Sequence, residues 1–307
     1  MIVRRYVVAC LAGHGIGPEV TAAASRTLTR LGAEHGFLVE ELHPPFDTEA
    51  LTRSGHHLPV ATREATASAD AVLVAGDAAP ALDGLRAALD LCATVTRVLD
   101  ETGEATVFAP LDADAADWTI ARAFAAARSG RVASVGVGAD WSGLVDRHAE
   151  RHPGVEVEHL TLTEALQRLA AGPAGVVVAE DVLGDALSSA PRLNGKRRLV
   201  ATGQLSTTGP GLFAPSQATS SDLAGQGVAD PSPMLLATAL LLSQGLGRVA
   251  AAEALEDSLT LALRAPRRPS EVSGPGVAAT TREFVDAVLG LLPSARRDTE
   301  FALGGAR

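Results

Sequence analysis

The chain has 307 residues and a formal charge of −10, with 47% hydrophobic and 20% charged residues, enough apolar material for one large domain or two. The acidic balance excludes a nucleic-acid partner, because phosphate contacts need clustered Lys and Arg. No apolar run reaches the roughly 18 residues of a membrane span, the longest being Met234–Leu242.

Residues 1–13 are basic and then apolar, and they run straight into a glycine-rich turn, so Tyr6–Leu11 is expected as a buried strand and not as a signal peptide. Pro18 and Glu19 suit the first turn of a helix reaching about His35. Gly13, Gly15 and Gly17 are spaced G-x-G-x-G, which differs from the G-x-G-x-x-G dinucleotide fingerprint. Strands are expected at Phe37–Leu42 and Ala71–Ala75, with a helix at Val60–Ala67 between them. A helix at Pro80–Leu91 and a strand at Thr94–Val98 follow. Strands at Ala105–Ala109, Val132–Val137, Val155–Leu160 and Gly175–Ala179 alternate with helices at Ala115–Arg128, Ser142–His152 and Thr163–Ala171. Such alternation implies an α/β fold with mainly parallel pairing. Pro231–Gln244 is apolar on most sides of a helix and should be buried. Amphipathic helices at Val249–Leu263 and Thr280–Leu292 complete the chain, with a frayed tail beyond Pro293.

Several polar groups carry a structural reading. The basic clusters Asn194–Arg198 and Arg264–Arg268 read as solvated loops. Asp112, Asp114 and Asp117 sit where a helix starts and lack the glycine of a calcium loop. His56 and His57 are adjacent in a polar segment and read as exposed. Cys10 and Cys92 lie in apolar strand-like runs and read as reduced core thiols, which suits a cytoplasm.

The stretch Gly209–Pro231, GPGLFAPSQATSSDLAGQGVADP, is glycine- and serine-rich, nearly free of helical or strand periodicity, and followed by an apolar helix, as a ligand-holding loop reads. It resembles, without a gap, the adenosine-binding loop of the β-decarboxylating dehydrogenases, the isopropylmalate and isocitrate dehydrogenase family. LAGHGIGPEV at Leu11–Val20 is similar to that family's opening phrase, and Ser54–Gly76 to the segment leading into its third strand. The resemblance implies two α/β lobes around a central cleft, one formed by about 1–98 and 200–307 and the other by 99–199. It also implies a homodimer, although the arm that members exchange across their dimer is shortened here.

The chemistry of such enzymes needs cations for carboxylates, a divalent metal, a base and an acid. Arg86 falls on the first family arginine and can grip a carboxylate. The second aligns with Thr96, and Arg97, one residue later, would point to the other face of a strand. The third arginine and the tyrosine belong to the shortened stretch, and Tyr6, in the first strand, is the only tyrosine. The family lysine falls on Val137 or Gly138, and Lys196, the only lysine, is far along the chain. Of the three metal aspartates only Asp185 is kept; Thr163, beside Glu164, and Ser189 replace the others. One carboxylate with hydroxyls predicts weak Mg2+ or Mn2+ binding.

In the loop, Asp222 matches the aspartate that accepts from an adenosine ribose hydroxyl, which favours NAD over NADP. Gln217 and Asp230 replace a histidine and an asparagine and retain groups able to bond a base edge, and Ala214 replaces a glutamate. His14 replaces an aspartate in the first turn. The expected ligands are therefore a nucleotide and a small carboxylate. Three functions remain in view: a cleft reused for other chemistry, with His14, Glu180, Asp181 or Asp185 as candidate polar groups; a catalytically silent binding or scaffold protein; and an active NAD-dependent hydroxy-acid dehydrogenase.

Overall fold

The computed structural model describes residues 3–75, 79–101, 103–127, 129–172, 174–190, 198–265, 269 and 278–293. Lys196 and the tail beyond Pro293 lie outside them.

The first half of the chain runs β1 (Arg4–Leu11), α1 (Gly17–His35), β2 (Phe37–Leu42), α2 (Asp47–Ser54), α3 (Val60–Ser68), β3 (Ala71–Val74), α4 (Ala79–Ala88), β4 (Ala93–Asp100), β5 (Gly103–Pro110) and α5 (Ala116–Ala126). It continues through β6 (Arg131–Val135), α6 (Ala139–Arg151), β7 (Glu156–Leu160), α7 (Leu162–Ala171), β8 (Gly175–Ala179) and α8 (Asp181–Ser189). The last part comprises β9 (Leu199–Leu205), β10 (Gly211–Pro215), α9 (Ser232–Leu240), α10 (Val249–Arg264) and α11 (Thr281–Gly290).

The strands form one ten-stranded sheet in the order β2-β1-β3-β10-β9-β4-β5-β8-β6-β7. Both flanks are parallel, as α/β alternation demands. The centre is antiparallel, from β10 through β9 and β4 to β5. The reason is local. β4 returns directly into β5 through a tight turn in which Asp100 Oδ1 accepts from the Gly103 N–H at 3.1 Å, and so short a link can only reverse the chain.

The two faces of the centre differ. On one face Val95, Leu99, Phe108, Ala201, Leu205 and Phe213 join a continuous core with residues of α1, α5, α6, α9 and α10. Helix α9 is buried on every side, through Met234, Leu235, Leu236 and Leu240 among others, and each such side chain contributes about 1.5–3 kcal/mol. A π-turn at Leu241–Gly245 follows it. Gly245 is required there, since a Cβ would come within 2.9 Å of the Phe213 ring.

The other face carries two separate apolar clusters. One packs α4 on β1, β3 and β10; the other packs α7 and α8 on β5, β6 and β8. Between them β4 and β9 present Thr94 opposite Gln204 and Thr96 opposite Thr202. Because alternate residues of a strand share a face, these four make a polar stripe, which is the floor of a cleft walled by α4 and α8.

Three expectations need correction. The stretch from Gly209 is not all loop: Gly211–Pro215 is β10, whose Leu212 and Phe213 are buried and pair in parallel with β3. Arg198 is not solvated; its side chain is 2% exposed and donates to Asp100 Oδ2 and to the Leu169 and Ala170 carbonyls. Residues 194–197 and 266–268, from the same basic clusters, lie outside the described residues. Finally, no helix is expected between Leu42 and Val60, yet α2 forms there, and its first residue, Asp47, bonds His14.

Candidate functional site

The glycine-rich turn after β1 and the loop after β10 meet at the same end of these parallel strands. The Ile16 N–H donates to the Thr219 carbonyl at 2.9 Å. Gly15 has φ +62, and a Cβ there would lie 2.0 Å from that carbonyl oxygen, so close approach requires glycine. Glu19, in the first turn of α1, accepts from the Gly227 N–H at 3.3 Å and the Ala229 N–H at 3.1 Å. The Thr281 hydroxyl at the start of α11 also bonds Glu19, and the Thr281 N–H donates to the Gly227 carbonyl. One carboxylate therefore joins α1, the loop and α11. Sequence reading identifies Glu19 only as a first-turn acid, since nothing local signals a partner some two hundred residues away.

Within the loop, Gln217 Nε2 donates to the Asp230 carbonyl at 2.9 Å. Its Oε1 is buried and has no hydrogen-bond partner among the described residues. Buried acceptors are nearly always paired, and this one suits an exocyclic amine of a purine. Asp222 is exposed in a single 3-10 turn at Ser221–Leu223, where a carboxylate is free to meet a ribose hydroxyl. Asp230, by contrast, is buried, and its Oδ1 accepts from the Ser232 N–H and hydroxyl at 2.9 and 2.6 Å. It closes a local turn onto the first residue of α9, as Asp side chains commonly do two residues along the backbone. Ala214 stands level with Thr202, so the loop begins where the cleft floor ends. The residues present fit an adenine nucleotide.

His14 sits in the same turn. Its Nδ1 is hydrogen-bonded to Asp47 Oδ2, and His57 Nδ1 lies 3.3 Å from Asp47 Oδ1. The Asp47 side chain is 6% exposed, while His14 and His57 are 35% and 38% exposed. His57 is therefore not the free surface histidine expected; His56 is exposed. Asp47 has φ 54, in the left-handed region that Asp adopts more readily than most residues with a side chain. Burial pushes its pKa up, but the His14 hydrogen bond, the Thr48 N–H, the charge of His14 and the His57 bond more than offset it, and the net shift is downward. Asp47 thus stays ionised and fixes the ring of His14. Sequence reading misses Asp47 because it misses α2; the acids after Pro44–Pro45 are the only signal.

The cleft gathers part of the expected substrate set. Arg86, in the last turn of α4, donates to Gln204 Oε1 and Asp83 Oδ1, both at 3.0 Å, and its side chain is 47% exposed. On the opposite side Thr96 Oγ1, from the floor, donates to Ser188 Oγ of the α8 wall at 3.0 Å. Asp185, exposed, is one turn before Ser188 and Ser189 and shares their side of the helix. Helix α8 can lie this low because it has Gly184, whose added Cβ would be 2.3 Å from the Ala109 Cβ. Glu180 Oε2 accepts from the Val137 N–H at 2.8 Å, pinning the loop after β6. Asp181 is exposed.

Other candidates lie away from the cleft. Arg97 points to the opposite face, where it bonds Glu256 of α10, Glu104 and Thr106. It lines a cavity of about 170 Å³ with Arg122 and Glu253, which holds no other residue singled out from the sequence. Tyr6 accepts from Arg248 Nε at 2.8 Å within the α1-side core. Thr163 and Glu164 are exposed at the start of α7; Glu164 serves the capping box of Thr161, which holds its pKa low. A hard divalent cation wants several oxygen ligands, mostly charged. Asp185 with neutral hydroxyls does not fit Mg2+ or Mn2+.

Fold and site together define a two-faced α/β protein with a nucleotide-type loop beside a polar cleft. The profile of the isocitrate/isopropylmalate dehydrogenase family matches residues 121–288, more than half of the chain, and the protein belongs to that family. It is 29% identical to a 3-isopropylmalate dehydrogenase of Prochlorococcus marinus (strain MIT 9313), over 89% of this chain and 95% of that protein. It is 26% identical to one from Streptococcus thermophilus (strain CNRZ 1066), over 92% and 98%. A β-decarboxylating dehydrogenase from Thermococcus kodakarensis superposes with TM-score 0.73 at 22% identity, covering 94% of this chain and 96% of that one. An isocitrate dehydrogenase from Methylococcus capsulatus gives 0.74 at 18%, covering 94% and 99%. Among the described residues no helix is long and apolar enough to cross a membrane.

Proposed function

We propose that this protein binds an NAD-type nucleotide at the Gly209–Pro231 loop and a small carboxylate in the adjoining cleft, and that metal-dependent oxidative decarboxylation of a 2-hydroxy acid is lost or very weak. The observation that carries this reading is the Thr96–Ser188 hydrogen bond of 3.0 Å. Two neutral hydroxyls join the floor of the cleft to its α8 wall where that reaction needs cations and metal-binding carboxylates. Hydroxyls neither hold a divalent ion firmly nor offset the charge of an enolate.

The nucleotide half of the reading is supported by the Glu19 anchor, by the unpaired Gln217 Oε1 and by the exposed Asp222 carboxylate. A bound nucleotide would supply a hydride acceptor. Arg86 would orient the carboxylate, exchanging its Asp83 partner for the ligand. His14, held in one tautomer by Asp47, is the group able to take or give a proton at its Nε2. The lobes are taken as 1–98 with 200–307 and 99–199, and the assembly as a homodimer in the cytoplasm.

Calorimetric titration with NAD and NADP tests the nucleotide half. NAD should bind more tightly than NADP, and Asp222→Ala should narrow the difference. Equal affinities for both in the native protein would remove the role given to Asp222, and heat-silent titrations with both would remove the nucleotide site.

A further inference from the structure

We propose a zinc-binding site formed by Cys10 of β1 with Glu41 and His43 at the end of β2, lying under α1 and separate from the cleft. The three side chains offer a thiol sulfur, a carboxylate oxygen and an imidazole nitrogen, all within 4.8 Å of one another. The backbone explains the convergence. β1 and β2 pair in parallel with Val8 beside Glu41 and Ala9 beside Leu42, so Cys10 and His43 come level just beyond the pairing. Glu41 and His43 are two residues apart and share a face.

Two of the three ligand separations, those to the Glu41 oxygen, are near what a tetrahedral ion imposes. Zinc bonds sulfur at about 2.3 Å and nitrogen or oxygen at about 2.0 Å, which separates two ligands by about 3.3–3.5 Å. Here Cys10 Sγ lies 3.8 Å from Glu41 Oε2, and His43 Nε2 lies 3.2 Å from the same oxygen. The protein thus needs movements of only a few tenths of an ångström to bring these pairs onto the edges of a zinc tetrahedron. The fourth position faces solvent beside His43, which is 56% exposed, and takes a water.

The surroundings favour zinc over a hard cation. A sulfur and an imidazole select borderline metals, whereas magnesium and calcium take oxygen. The Ser25 hydroxyl of α1 donates to Glu41 Oε2, an outer contact of the kind that orients metal-binding carboxylates. The Cys10 side chain is 2% exposed. Zinc entry forms the sulfur–zinc bond, and the thiol proton leaves to solvent.

Such an ion would clip β2, one of the two edge strands of the sheet, to β1. Cys10 precedes His14 by four residues, and His43 precedes Asp47 by four. The clip therefore also steadies the two segments that form the His14–Asp47 pair.

The test uses the full-length protein stripped with chelator and titrated with Co2+ and Zn2+. Cobalt should give a thiolate-to-metal charge-transfer band and the intense visible bands of a tetrahedral site, at one ion per chain with release of a proton. Cys10→Ser should abolish the charge-transfer band, and Cys92→Ser should leave it intact. Should Cys10→Ser fold poorly, the exposed-side variant His43→Ala decides, with zinc affinity reduced about tenfold or more, and Ser25→Ala should cost about 10–100-fold. No charge-transfer band, a band that vanishes with Cys92→Ser but survives Cys10→Ser, or unchanged zinc affinity in His43→Ala would overturn the assignment.

Discussion

Replacing Glu19 by alanine should release the nucleotide loop without unfolding the sheet. The carboxylate accepts from the Gly227 and Ala229 N–H groups and contacts the Thr281 hydroxyl. A hydrogen bond to a charged acceptor is worth about 1.5–3 kcal/mol net. Glu19 is half-buried and one bond is long at 3.3 Å, which puts the combined loss near 2–3 kcal/mol. At 1.4 kcal/mol per factor of ten, the loop would open about 30–150 times more readily. Glu19→Gln keeps an acceptor but no charge and should lose roughly half as much in free energy. Hydrogen exchange across 225–231, read by mass spectrometry, should accelerate by that factor in Glu19→Ala, and NAD affinity should fall by no more than the same factor. Exchange at Gly227 and Ala229 indistinguishable from the native protein would refute the anchoring role.

The same geometry yields three further outcomes. In Gly15→Ala, the added Cβ 2.0 Å from the Thr219 carbonyl at φ +62 should destabilise the protein by about 1–3 kcal/mol, seen as a lowered denaturant midpoint; an unchanged midpoint contradicts it. Gly184→Ala should push α8 off β5, since its Cβ would meet Ala109 at 2.3 Å, at a cost of about 1–3 kcal/mol; a crystal structure retaining the Thr96–Ser188 bond would be the contrary result. Asp47 has its pKa lowered by folding, so its contribution to stability is complete above the unfolded value of about 3.9 and fades as pH falls through the folded one. Urea unfolding should therefore show Asp47→Asn weaker than native protein at pH 6 and the gap closing toward pH 3; a gap independent of pH would contradict the ionised Asp47.

Much of the fold is legible from local pattern. Periodic apolar runs mark α1, β2 and β8, and the start of α1 at Pro18 follows from backbone chemistry. The failures have physical causes. β9 and β10 owe their form to sheet partners distant in sequence, with Leu212 and Phe213 paired to β3, and a short run among glycines carries no periodicity of its own. α2 has only eight residues, too few to announce a helix. The candidate site divides likewise. The loop is readable as a motif, and the one-residue offset of Arg97 correctly places it on the face opposite Thr96. The partners of those residues, Glu19 for the loop and Asp47 for His14, are tertiary facts, as is the engagement of Asp230 with Ser232.

The central claim is that the protein keeps the nucleotide loop of its family while the cleft no longer supports metal-assisted decarboxylation. The direct test is spectrophotometric: NADH formation by the purified protein with isopropylmalate or isocitrate, with and without Mg2+ or Mn2+, alongside calorimetric NAD binding. The account predicts measurable NAD binding with no metal-dependent NADH formation. Turnover at an ordinary enzymatic rate that requires the metal would contradict it.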